Sequence, residues 1–152
     1  MNKALSIFAV TLFAGVVHAA GSDRTFIAPP GADPKVAAPY SSGVLVKDTY
    51  YVSGSLGLDP ASGKVPADAE AEARLALDSV KHTLERAGLT MADLVSVTIY
   101  CTDLELYDKF NAIYRSYFQD HFPSRAFIGV AKLVRGARFE IAGVAVKSSK
   151  SR

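Results

Sequence analysis

"FEIAGVAV", residues 139–146, decides the fold, because a strand made from it is apolar on both faces. Side chains alternate along an extended chain, so Phe139, Ile141 and Ala145 point one way while Ala142, Val144 and Val146 point the other. Such a strand belongs in a sheet that is covered on both sides. Glu140 shares the second face, and a buried carboxylate is costly unless it is paired or hydrogen-bonded. Just upstream, "FPSRAFIGVAKL", residues 122–133, predicts another buried strand from Ala126 to Ala131, with Arg125 at its mouth. Two readings of this charged couple stand open. Arg125 and Glu140 form an ion pair between adjacent strands, or Arg125 offers its two-pronged fork to a substrate carboxylate while Glu140 orders a water or handles a proton.

The rest of the chain supplies the sheet's other parts. Gly43 to Lys47 and Thr49 to Ser53 are apolar runs separated by Asp48, which predicts a hairpin. From Ala67 to Ala87, apolar residues recur every three or four positions, with acids early, Lys81 and Arg86 late and Gly88 as the stop, so this segment is a helix. Leu94 to Cys101 alternates as a strand, Leu104 to Phe118 returns to helical spacing, and the last strand extends over Ala137 to Lys147. The order strand, strand, helix, strand, helix, strand, strand predicts an α+β domain with two helices on one face. A second copy of the chain is the most economical cover for the other face, so a homo-oligomer with sites near subunit boundaries is expected.

The amino terminus reads as a signal peptide: Lys3 is its only charge, Ala4 to Val17 is apolar, and Val17-His18-Ala19 suits cleavage after Ala19. The apolar run is short for a membrane span, so a periplasmic or secreted protein with no stable membrane association is expected. Residues 20–39 read as an irregular arm around a short strand at Thr25 to Ile27, 40–147 as the domain core and 148–152 as a polar tail. Beyond residue 19, sixteen Lys and Arg face fifteen Asp and Glu, and no basic stripe marks a nucleic-acid surface. Cys101, the one cysteine, excludes an internal disulfide and reads as an inert core residue. His82 and His121 lack metal-ligand spacing, so no metal is expected.

With these elements in this order, the chain resembles the reactive intermediate deaminase (RidA, or YjgF-like) family. The resemblance is carried by "APYSSGV" (38–44), "YVSGSLGLDPASGKVP" (51–66), "EARLALDSVKHTLERAGL" (72–89), "FNAIYRSYF" (110–118), "FPSRAFIGVAKL" and "FEIAGVAV". It implies a chorismate-mutase-like α+β fold, a mixed sheet and a homotrimer with its pocket between subunits. It also implies hydrolysis of 2-imino or 2-enamino acids to 2-keto acids and ammonia, with no cofactor. By the same resemblance Arg125 clamps the substrate carboxylate, Glu140 positions the attacking water, and Tyr40 lines the site among the catalytic groups. Asn111, Ser53 and Gly54 complete the wall. Taken from spacing alone, Asn111 could equally cap a helix and Ser53-Gly54 bend a strand. Phe127 stands where the family has a cysteine, which implies a smaller or differently shaped pocket. A trimer that binds small carboxylates without chemistry is the alternative function.

Overall fold

The computed structural model describes residues 23–29 and 38–148, and the expected signal segment lies outside them. Six strands form one sheet: β1 (Arg24–Ile27), β2 (Gly43–Val46), β3 (Thr49–Leu56), β4 (Leu94–Cys101), β5 (Ser124–Gly129) and β6 (Phe139–Val146). Two helices, α1 (Ala69–Arg86) and α2 (Tyr107–Arg115), complete the domain. The strand order is β1-β2-β3-β6-β4-β5, so the last strand inserts at the centre of the sheet. Only β4 and β5 pair in parallel; the other pairs are antiparallel. A parallel pair needs a crossover, and α2 is the one that joins β4 to β5. In the same way α1 carries the chain from β3 past the central gap to β4, and β6 fills that gap.

Helix α1 starts where Asp68 accepts a hydrogen bond from the Ala71 N–H at 2.8 Å, a cap worth about 1 kcal/mol. It stops before Gly88, whose φ of +73° is a conformation that β-carbon-bearing residues resist. Its buried stripe, Ala73, Ala76, Leu77, Val80 and Leu84, lies over β3 and β6. Beneath it are Tyr50 and Val52 of β3, Phe139, Ile141 and Ala145 of β6, and Val97, Ile99 and Cys101 of β4. The opposite face carries Phe26, Tyr51, Ile128 and Val146, all more than a third exposed. The split of the last strand into Phe139, Ile141 and Ala145 against Ala142, Val144 and Val146 is therefore present as read, with the helices on the first face only.

Three expectations need correction. The second helix is shorter than Leu104 to Phe118: Leu104–Leu106 is a 3-10 turn, and the α-helix proper ends at Arg115, where Ser116 closes onto Ile113 and Tyr114. The fifth strand is Ser124–Gly129 rather than Ala126 to Ala131, because pairing with β4 starts at Ser96 opposite Ser124 and places Arg125 within the strand. Most consequentially, β5 and β6 are not neighbours. Strand β4 runs between them, and this overturns the ion pair between adjacent strands.

Candidate active site

Strand β4 shows how far apart the two charged residues lie. Arg125 sits opposite Val97, whereas Glu140 sits opposite Tyr100. An offset of three along a strand means opposite faces, so Arg125 points to the helix side and Glu140 to the open side. The expected site residues accordingly fall into two groups within one chain.

The first group surrounds Arg125. Its guanidinium carbon lies 4.8 Å from the ring centre of Tyr114 and 5.8 Å from those of Tyr107 and Phe127. Each such cation–π contact contributes about 0.5–1 kcal/mol. Arg125 Nη2 also donates to the Tyr107 hydroxyl at 3.4 Å. Among the described residues no carboxylate pairs with Arg125; the ion pair they contain is Glu72 with Arg138. The positive charge is thus held by π-faces and stays available to an anion. It lines a concavity of about 250 Å³ with Pro123, Phe122 and, from α2, Tyr107, Asn111, Tyr114 and Arg115. Asn111 lies in mid-helix, which removes the capping alternative. Phe127 does not line the concavity: its half-buried ring stands edge-on to Tyr107 at 5.0 Å and to Phe110 at 5.5 Å, behind the arginine.

The second group surrounds Glu140 on the open face. Strand β3 carries an extra residue between Val52 and Ser55, a bulge that contains Ser53 and Gly54. A β-carbon at Gly54 would overlap the Glu140 carboxylate, so glycine there is what lets the acid lie across the bulge. The Ser53 hydroxyl donates to the Ser41 carbonyl at 2.6 Å, and the Ser53 N–H donates to the Ser42 carbonyl at 3.0 Å. These bonds tie the turn that carries the exposed Tyr40 to the same end of the sheet. Ser53-Gly54 therefore bends the strand and also lines the place where Glu140 sits.

Tyr107, Tyr114 and Phe122 were not among the expected site residues, because the two tyrosines at helical spacing read as core and Phe122 as the apolar start of the stretch that leads into Arg125. Tyr114 is buried, its hydroxyl has no hydrogen-bond partner among the described residues, and burial pushes that hydroxyl up to about 12 against the opposing charge of Arg125. Cys101 is core as expected: its thiol donates to the Asp103 carbonyl at 3.0 Å, and burial raises its pKa. A larger, shallower concavity at Lys64, Arg135 and Arg138 holds none of the expected residues. There the Arg138 guanidinium is already committed to Glu72 and to the Pro66 and Ala67 carbonyls. The described residues contain no cluster of metal-ligating side chains and no helix long and apolar enough to cross a membrane.

The fold is a small α+β domain with one sheet, two helices on one face and an arginine-lined concavity beside the second helix. Residues 30–147 match the family model described as endoribonuclease L-PSP. The 2-iminobutanoate/2-iminopropanoate deaminase of Bos taurus is 42% identical over 115 residues, which are 75% of this chain and 84% of that protein. The protein of the same name from Escherichia coli K12 is 38% identical over 117 residues, 75% of this chain and 91% of that one. Among solved structures, E. coli TdcF with bound serine superposes with a TM-score of 0.73 at 32% identity, covering 82% of this chain and all of that one. The chain belongs to this L-PSP family, which includes the RidA/YjgF-like deaminases. It is a deaminase-like hydrolase.

Proposed function

We propose that the protein hydrolyses 2-imino and 2-enamino acids to 2-keto acids and ammonia, at a pocket formed between copies of a homotrimer. The observation that carries this reading is Arg125, a half-buried guanidinium bedded on three aromatic rings with no acid among the described residues to neutralise it. The α-carboxylate of the substrate docks there, and Asn111 is in reach of the same concavity. The neighbouring copy presents its open sheet face, so that its Glu140, Ser53, Gly54 and Tyr40 close over the substrate. Association joins the two groups that one chain keeps on opposite faces, and it covers Phe26, Tyr51 and Val146 at the same time.

The chemistry needs little more. An iminium carbon is already electrophilic, so positioning of a water by a carboxylate suffices. Water oxygen bonds to C2 as Glu140 takes up a proton. The proton passes to nitrogen, the C–N bond breaks as the C2 hydroxyl gives its proton back to Glu140 and becomes the carbonyl, and the keto acid leaves with ammonia, which carries that last proton away as ammonium. No electrons enter or leave, so the reaction calls for no redox group. The same reading keeps residues 1–19 as a signal peptide cleaved after Ala19, 20–39 as the arm, 40–147 as the core and 148–152 as the tail, and it sets the work in the periplasm or outside the cell, on small molecules rather than nucleic acid.

The test is keto-acid formation from 2-imino acids generated in place by an amino-acid oxidase, with semicarbazide trapping the free imine. The protein is expected to outrun the trap. Arg125→Ala is expected to lose about 10- to 100-fold in kcat/KM, the worth of a charge-assisted hydrogen-bonded contact, in a protein that still folds and melts lower only by the lost cation–π contacts. No acceleration across small, branched and aromatic imino acids would sink the deaminase reading.

A further inference from the structure

Arg125 shares its concavity with a second guanidinium. Arg115, in the last turn of α2, extends over the Phe122 ring at 5.9 Å and lines the same space. Phe122 is itself stacked toward Tyr114, with ring centres 6.2 Å apart and planes 21° from parallel. Tyr114 is the ring on which Arg125 rests. Two cations therefore lie on two linked aromatic rings, one at each part of a concavity of about 250 Å³, and no Asp or Glu is among its lining residues. Like charges so placed repel each other, and a carboxylate bound at Arg125 alone would leave the second cation unanswered.

We propose that the site is built for dicarboxylic imino acids, with 2-iminosuccinate as the type: the α-carboxylate on Arg125 and the distal carboxylate on Arg115. This rests on the deaminase reading of the same pocket and names its substrate class. Addition of water at C2 and loss of ammonia would convert 2-iminosuccinate to oxaloacetate, with no change of oxidation state. The reaction that supplies such a substrate is a two-electron oxidation of an acidic amino acid at its C–N bond. Arg115 also complements the carboxyl end of α2, a role that any cation fills and that is blind to the ligand's second carboxylate.

Two stable probes, succinate and butanoate, separate these roles when titrated calorimetrically into the whole protein. Hydrolysis of 2-iminosuccinate and 2-iminobutanoate is measured beside them. Succinate is expected to bind about fivefold more tightly than butanoate, the upper range for an exposed ion pair. The ratio should fall to about one in Arg115→Ala and recover in part in Arg115→Lys. A wild-type protein without that preference, or a preference that survives Arg115→Ala, overturns the proposal. If 2-iminobutanoate is hydrolysed and no Arg115-dependent preference is found, the deaminase reading stands and the dicarboxylate proposal fails. If neither imine is accelerated yet the preference is present and depends on Arg115, the ligand class stands and the deaminase reading fails.

Discussion

At the level of a single residue, Tyr114 holds both the support of the site and an unanswered polar group. Its ring supports Arg125, but its hydroxyl is buried and without a partner among the described residues. Burial holds that hydroxyl at about 12, above the value of about 10 expected in an unfolded chain, so the folded state keeps the proton more tightly. The resulting stabilisation is fully present below pH 10 and is lost as pH rises from 10 to 12, by roughly 3 kcal/mol. Tyr114→Phe keeps the ring and removes the titrating group. Thermal melts should show the variant at least as stable as the parent at pH 7, because a buried unpaired hydroxyl costs its desolvation and returns no hydrogen bond, and less sensitive than the parent above pH 10. A clear loss at pH 7 would mean that the hydroxyl is satisfied in the assembled protein. Arg125 was legible in the sequence as a charge inside an apolar run. Its aromatic support was not, since Tyr107 and Tyr114 repeat at the same spacing as the core residues Phe110 and Ile113.

Glu72 shows what sequence periodicity hides at the level of elements. An acid in the first turn of a helix reads as a solvated complement to the helix dipole. Glu72 is instead fully buried. It accepts from the Arg138 N–H at 2.6 Å, from the Arg138 guanidinium at 2.6 Å and from the Phe139 N–H at 3.1 Å. These bonds pin the start of β6 to α1 two residues before Glu140, so they also set the register that carries the candidate acid. Glu72→Ala leaves two backbone donors and a guanidinium unanswered and is expected to cost about 3 kcal/mol in denaturant unfolding, with Glu72→Gln costing less. A change below 1 kcal/mol would show that water replaces the carboxylate freely. Local signals did mark the hairpin, α1 and β4, because caps, stops and alternation are written in neighbouring residues. They could not place β6 between β3 and β4, since that pairing joins residues from 38 (Cys101 with Phe139) to 97 (Thr49 with Val146) positions apart in the chain. The error of setting Arg125 beside Glu140 followed from that gap.

For the whole molecule, the decisive fact is that Arg125 and Glu140 stand on opposite faces of one sheet. A complete site in a single chain would require one of them to pass through the sheet, so a site that uses both must draw them from two copies. The open face offers the means, with Phe26, Tyr51, Ile128 and Val146 exposed around the Glu140 side. Co-expression of differently tagged Arg125→Ala and Glu140→Gln chains tests this directly. Each variant alone is expected to keep at most about a tenth of the parental activity, because every site in its assembly lacks the same group. A site pairs Arg125 of one copy with Glu140 of the next, so a trimer that contains both kinds of chain keeps both groups intact at about one of its three sites. Keto-acid formation should therefore return to about a third of the parental rate in the doubly tagged fraction, whose mass by light scattering should be three chains. If the mixture stays as inactive as its parts although the tags co-purify, the two residues do not share a site between copies, and Glu140 has no part in the chemistry at Arg125.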